Sequence, residues 1–496
     1  MSRREVIIIG SGLGGLLCAG ILARAGLHVL VLEQGVQPGG CMQTYRRHGL
    51  DFDTGFHYTG GLNEGQPMHA VFRYLGLMQL PWVRMDELFD RVTIGRRTFA
   101  FAQGYDNFVQ TLAADFPAER TALEQYARLL RQVSAHELDA LDPAGNADTS
   151  FTERLMETNA LRYLQSLFRD PLLIGVLSGT ALKMELRSES LPLFTFAYGH
   201  SSYLESSWRL KGGASQLVDT LVQGIRARGG EVLCNAGVAE LVERDGRLVQ
   251  ARCADGRSYE AACFISDLHP AATCALIGQS SHMKPAYRRR MAALENTCGM
   301  FTASLVLKPR ALKYFNFNRY VYARPDVWAC SRGESPVGGV LVSCRVPEDG
   351  SPYTRQVDLL TPMTWQQCLP WQDTRVGHRD AGYLALKARL ADECIALAEQ
   401  ALPGLRHCVD YLCTSTPLTY RDYTGTPQGS AYGARKDYDN PLGTLLSVRT
   451  PIDNLLLTGQ SLMLHGVHGV TMTALLTCAE LLGRERIWRI VRGEAL

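Results

Sequence analysis

A short apolar strand that runs straight into a glycine turn and then into a helix leaves a chain few ways to fold. Residues 5–9 (Glu-Val-Ile-Ile-Ile) read as a strand buried on both faces of a parallel sheet. Gly10-Ser11-Gly12-Leu13-Gly14-Gly15 follow at once and match Gly-x-Gly-x-x-Gly. Residues 16–25 then read as a helix closed by Gly26, and 28–32 as a second buried strand ending on Glu33. Each part has a physical task. The first glycine permits the tight turn, the second lets backbone approach a pyrophosphate, and the third lets helix pack on strand. The helix start offers free N–H groups and partial positive charge to phosphate, and Glu33 stands where a carboxylate accepts from ribose hydroxyls. These residues together, Gly10, Ser11, Gly12, Gly14, Gly15, Glu33 and Gln34, are expected to bind a dinucleotide.

The continuation separates flavin from nicotinamide. A nicotinamide fold would go on with another helix and parallel strand. Here Gly39-Gly40-Cys41 intervenes, a second glycine pair of the kind needed where backbone lies against a large planar ring, followed by Asp53-Thr54-Gly55-Phe56-His57-Tyr58. Taken together, the stretch from VIIIGSGLGG to FDTGFHYTGG resembles the flavin-binding start of the phytoene desaturase, carotenoid isomerase and retinol saturase superfamily, and within it the retinol saturase-like branch.

The resemblance extends to two later segments. Trp208-Arg209-Leu210-Lys211-Gly212-Gly213 precedes an amphipathic helix reaching about Arg228, then short strands with Asp245-Gly246 as a hairpin turn. The resemblance makes Val238 the residue whose backbone meets adenine. Near the C-terminus, 454–457 read as a buried strand ending in Gly459-Gln460, and Gly466 opens the last long helix with His468, Gly469, Val470 and Thr471 in its first turns. By resemblance this helix start faces the flavin pyrimidine, where its dipole would favour negative charge on the ring. Many relatives have Gly-Asp where this chain has Gly459-Gln460. Gln still donates and accepts hydrogen bonds, and is taken as a mark of the branch.

The implied fold is α/β: a discontinuous Rossmann-type FAD-binding domain (1–62, 205–275 and 445–496) with an inserted mixed α+β substrate domain (63–204 and 276–444). Within the insertions, 105–116 and 119–134 show helical spacing, making the first mainly helical. Residues 300–307 and 340–346 read as strands, and 381–402 as one helix ended by Pro403-Gly404. The apolar stretches 171–182 and 191–198 suit either the lining of a tunnel for a long apolar molecule or ordinary core, where most large apolar residues lie.

Composition narrows the partners. Over 496 residues, 46% are apolar and 20% charged, which fits a globular core; the net charge of +2 gives no bulk case for nucleic acid. No apolar run reaches the roughly 18 residues of a membrane span, and the N-terminus has no signal-peptide pattern. The fourteen cysteines form no Cys-x-x-Cys pair and fit reduced thiols. The expectation is a cytoplasmic protein, with peripheral membrane contact left open.

The resemblance implies non-covalent FAD and chemistry on a carbon–carbon double bond of a long apolar polyene or isoprenoid. Flavin carries the hydride, so the protein must handle the accompanying proton. His57 and Tyr58 are the first candidates and His468 the next, with His465 in the same turn; each histidine could equally serve structure alone. No histidine–carboxylate spacing suggests a metal. With a single Gly-x-Gly-x-x-Gly, NAD(P)H is at most a transient electron donor, and the electron partner stays unknown. Alternatives are a flavin-dependent polyene cis–trans isomerase, a bacterial natural-product reductase, an amine oxidase, and a prenyl-group carrier of the GDP-dissociation-inhibitor type.

Overall fold

The computed structural model describes residues 4–145, 149–333 and 336–494. It is organised around two seven-stranded sheets. The first begins with β1 (Arg4–Ile9), α1 (Leu13–Arg24) and β2 (Val29–Leu32). β1 and β2 pair in parallel, and the Glu231–Leu233 strand extends the sheet beyond β2. On its other side β1 pairs with the end of the Ser258–Ser266 strand, which also carries Leu455–Leu457 from near the C-terminus. The start of that same strand instead joins an antiparallel ribbon of Arg247–Cys253 and Val238–Arg244. Asp245 and Gly246 both take positive φ in the hairpin, as their identities predict.

Every residue of β2 is buried, and α1 is buried from Leu13 to Ala23. A helix sunk this far needs no polar face, and it packs against the Ser215–Arg226 helix and the Gly466–Leu482 helix. This sandwich brings the beginning, middle and end of the chain to one place.

The second sheet is largely antiparallel, in the order Val409–Ser415, Gly299–Leu307, Gln356–Met363, Gly339–Cys344, Asn318–Tyr322, Leu88–Ile94 and Arg97–Ala102. The last two strands come from the mainly helical stretch 63–204. That stretch is not only helical; it also supplies an edge hairpin whose Leu88–Ile94 strand pairs in parallel with Asn318–Tyr322. The long helix stops at Ala398 rather than Leu402, the chain turning before Gly404 takes a left-handed conformation. Among the described residues no helix is long and apolar enough to cross a membrane.

Residues 171–182 and 191–198 form the helices Pro171–Gly179 and Leu193–Glu205 and the turn between them. They pack into one apolar cluster with Phe89, Tyr126, Tyr320 and Trp328. Of the two roles open to these stretches, the structure assigns them chiefly core packing. Leu191 and Thr195 border a recess of about 20 Å³.

Candidate functional site

The glycine turn is built as its sequence requires. Gly10 has φ +92°, and a Cβ on Gly15 would come within 2.5 Å of the Gly10 carbonyl, so helix and strand meet only because Gly15 lacks a side chain. Ser11 donates from its N–H (3.0 Å) and its hydroxyl (2.5 Å) to Glu33 Oε2, while the Gly35 N–H donates to Oε1 (2.7 Å). Glu33 is thereby fixed at the end of β2 with lone pairs to spare for ligand hydroxyls. The Ala236 N–H donates to the Glu33 carbonyl (2.7 Å) and Gly237 packs on Gln34, which places Val238 beside the acidic residue. Gly39 donates to the Ser11 carbonyl (2.9 Å), and Gly40 lies over Gly12, where a Cβ would stand 3.2 Å from its Cα.

The C-terminal segment closes the same turn. Thr458 donates to the Ser266 carbonyl (2.9 Å), and Gly459, at φ +96°, lies against Gly14. Gln460 borders the small recess with Lys436 and His465. Lys436 donates to the carbonyls of Thr444, Ser461 and Leu462 at 2.7–2.9 Å, and burial brings its ammonium down to about 7. It ties down the strand end that carries Gly459 and Gln460. Gly469 packs tightly on Leu464, Val470 is buried, and the Thr471 hydroxyl donates to Val467 within its own helix (2.7 Å).

The glycines line a cradle that side chains would fill, at the N-terminal end of a helix. The Asp267 carboxyl reaches into it, its oxygens lying where side-chain carbons on Gly12, Gly14 or Gly459 would stand. A side-chain-free cradle at a helix start suits phosphate oxygens, and with Glu33 held beside the turn by Ser11 the donor set fits the FAD dinucleotide.

The proton-handling candidates fall in three different settings. Tyr58 is buried in the apolar cluster and sits in a polar knot. Its hydroxyl receives Lys183 Nζ (3.0 Å), donates to Asp90 Oδ2 (3.0 Å), and lies 2.7 Å from the Tyr320 hydroxyl. Asn318 donates to Asp90 Oδ1 (2.8 Å), and the Lys183 ammonium stands 3.7 Å from the Tyr203 ring centroid. Burial, followed by the charge of Asp90, drives the Tyr58 phenol well above its ordinary range. Burial also raises Asp90 and lowers Lys183, each opposed by the other's charge.

His57 turns the other way, towards Asp53, Arg345 and Arg209. Burial is the main cause lowering it to about 4, and its Nε2 has no partner. The Asp53–Arg345 ion pair (3.1 Å) locks this region to the Trp208–Gly213 loop through the Ala214 N–H on Asp53 Oδ1 (2.8 Å). His468 faces yet another neighbour: its Nε2 lies 3.1 Å from Glu137 Oε2, outside hydrogen-bond geometry, with the Tyr198 ring 5.2 Å away. His465 caps the last long helix, its Nε2 3.1 Å from the Lys183 carbonyl, and burial lowers it to about 4. Adjacent in sequence, His57 and Tyr58 therefore do not share a site.

A cleft of about 860 Å³ opens between the hairpin of β3 (Thr44–Arg47) and β4 (Leu50–Asp53), the Val409–Ser415 strand, and the helices Ala381–Ala398 and Pro417–Thr424. Thr54, Thr302 and Tyr420 line it; Val36, Leu384 and Tyr423, exposed by 82%, 59% and 58%, stand at its mouth.

The sequence profile of the flavin containing amine oxidoreductase family matches residues 13–266, just over half of the chain. The chain belongs to this family. It is an FAD-dependent oxidoreductase. Among curated proteins it is similar to all-trans-retinol 13,14-reductase of Danio rerio, 27% identical over 96% of this chain and 86% of that one. It is also similar to chloroplastic prolycopene isomerase of Daucus carota, 24% identical over 92% of this chain and 76% of that one. These place the flavoenzyme in the superfamily its sequence resembles. An oxidoreductase structure from Methanosarcina mazei shares the fold, with a TM-score of 0.64 at 17% identity over 95% of this chain and 99% of that one.

Sequence reasoning missed Asp267, Lys183 and Asp90. Asp267 had a signal: it directly follows a strand that pairs with β1, and ligands of parallel α/β sheets gather at such strand ends. Lys183 and Asp90 had none.

Proposed function

We propose that this flavoenzyme acts on a carbon–carbon double bond of a long apolar polyene or isoprenoid, in the direction of saturation. The similarity to all-trans-retinol 13,14-reductase along 96% of the chain carries the reading, and a protonated tyrosine set in an apolar core supports it. The division of labour we propose is a flavin domain of 1–62, 205–275 and 445–496 and a substrate domain of 63–204 and 276–444.

FAD, when bound, supplies hydride chemistry. The chain's own residues do the rest. The amides of the Gly10–Gly15 turn would hold the pyrophosphate, Glu33 the ribose, and the backbone near Val238 the adenine. Gly39, Gly40, Cys41, Gln460, Gly469, Val470 and Thr471 would border the rest of the cofactor. Tyr58 holds the proton for the second carbon. Lys183 donates to the phenol oxygen and so eases its charge as the proton leaves, while Asp90 and Lys183 store a replacement proton within hydrogen-bond reach. His57 and His468, facing Asp53 and Glu137, serve placement rather than proton delivery in this reading.

The apolar mouth of the cleft, with Arg46, Arg47 and Lys387 beside it, supports collection of the substrate from an anionic lipid surface.

The test is anaerobic: reduce the bound flavin, add all-trans polyenes, and follow flavin reoxidation with product mass. Saturation adds one hydride and one proton, a gain of two mass units. Unchanged mass with altered retention would make the protein an isomerase, a reading favoured by the prolycopene isomerase relative. Failure of every polyene to react, with peroxide released on adding amines, would refute both.

A further inference from the structure

The anion seat of the glycine turn is filled by the chain itself. Asp267 continues the sheet, its N–H donating to the Ile9 carbonyl (2.9 Å), and its side chain turns back across the turn. A Cβ on Gly14 or on Gly459 would stand 2.6 Å from Asp267 Oδ1, and one on Gly12 would overlap Oδ2. Three glycines from two distant segments thus leave the same small volume free, and one carboxyl occupies it. The glycine turn it lies across is the segment that the motif sets against a pyrophosphate.

We propose that Asp267 is a built-in counterpart of the cofactor phosphate: its carboxyl plugs the dinucleotide seat, and FAD enters only as Asp267 takes up a proton and yields that seat. The reason is electrostatic. A carboxylate and a pyrophosphate cannot occupy one small volume beside the glycine turn without severe like-charge repulsion.

The surroundings sharpen the effect. Burial pushes the Asp267 carboxyl up to about 7, with Glu33, at the end of β2, adding to the rise and the Gly15 and Gly12 amides opposing it. Cys41, on the Gly40–Met42 turn, also faces it but is raised to about 11 and stays neutral around pH 7. The first turn of α1 brings no acidic residue. Among these groups Asp267 is the one placed to trade a proton for a phosphate. The inference concerns cofactor loading and is independent of the substrate.

The measurement is the FAD dissociation constant of the flavin-stripped full chain, by quenching of flavin fluorescence between pH 5.5 and 8.5. The wild type should weaken as pH rises, approaching about tenfold per unit above pH 7, as uptake of one proton requires. Asp267→Asn should bind more tightly than wild type at pH 8 with a flattened profile, and Asp267→Ser should do the same with a smaller side chain. Hydrogen exchange adds a readout free of FAD: without cofactor, the peptide spanning the Gly12–Gly15 amides should exchange faster in Asp267→Ser than in wild type. A flat wild-type profile, or both variants binding more weakly than wild type at pH 8 while melting like it, would overturn the proposal. That result would make Asp267 a ligand of the bound cofactor.

Discussion

Gly14, in the first turn after β1, and Gly459, at the end of the last sheet strand, lie so close that a side-chain carbon on Gly14 would stand 3.0 Å from the Gly459 Cα. The glycine turn is therefore closed by two segments far apart in sequence, and neither can carry a side chain where they meet. Gly459→Ala adds both a clash with Asp267 and a left-handed φ that alanine resists, at a cost of about 1–3 kcal/mol. We expect purified Gly459→Ala and Gly12→Val proteins to be colourless, checked by absorbance at the flavin band. A yellow protein with normal flavin stoichiometry would contradict the site.

Tyr58→Phe removes one hydroxyl and leaves the ring packed. Flavin content should be unchanged while turnover falls by about 10²–10⁴, the usual worth of a placed acid. Lys183→Met should cost less alone and little more when added to Tyr58→Phe, because both act on the same phenol oxygen; steady-state kinetics of the double-mutant cycle would show it.

Acid should destabilise the fold through two histidines. His57 and His465 are both lowered to about 4, so between that value and 6.5 the unfolded chain binds protons that the folded chain does not. Stability then rises with pH across this window and is lost as pH falls through it, each residue contributing on the order of 2–3 kcal/mol. Melting temperatures of wild type, His57→Asn and His465→Asn from pH 4 to 7 should show a shallower slope in each variant. If His57→Asn also retains full turnover, the assignment of proton delivery to Tyr58 gains support.

Leu384→Glu and Tyr423→Glu place charge at the mouth of the cleft, on positions already exposed. Both should fold normally and turn over a detergent-dispersed polyene at the wild-type rate. Co-sedimentation with vesicles of phosphatidylglycerol and phosphatidylcholine should drop in each, and wild-type binding should weaken as salt screens Arg46, Arg47 and Lys387. Equal sedimentation of all three proteins would remove the docking face.

The flavin half was legible because its signals are local. β1, the glycine turn and α1 occupy consecutive residues, and the spacing from Gly12 to Glu33 fixes a carboxylate beside the turn without knowledge of anything else. The Asp245-Gly246 hairpin was readable for the same reason. The edge hairpin Leu88–Ile94 and Arg97–Ala102 was not, since its strands lie in a mainly helical stretch and find their place only by pairing with Asn318–Tyr322.

The sequence by itself marked the glycine turn at the start of the chain as a dinucleotide seat, and its resemblance to a flavoenzyme superfamily implied the flavin and the return of the chain's end to that turn. Helix and strand periods and the freedom of glycine act over a few residues, so they can be read in order. Only the tertiary structure decided that Tyr58 rather than His57 joins Lys183 and Asp90, and that Asp267 lies across the glycine turn. Those pairings depend on which distant strands become neighbours. His57 and Tyr58 lie in the bend between the Leu50–Asp53 and Thr59–Gly60 strands, where no local period fixes which neighbour each side chain meets.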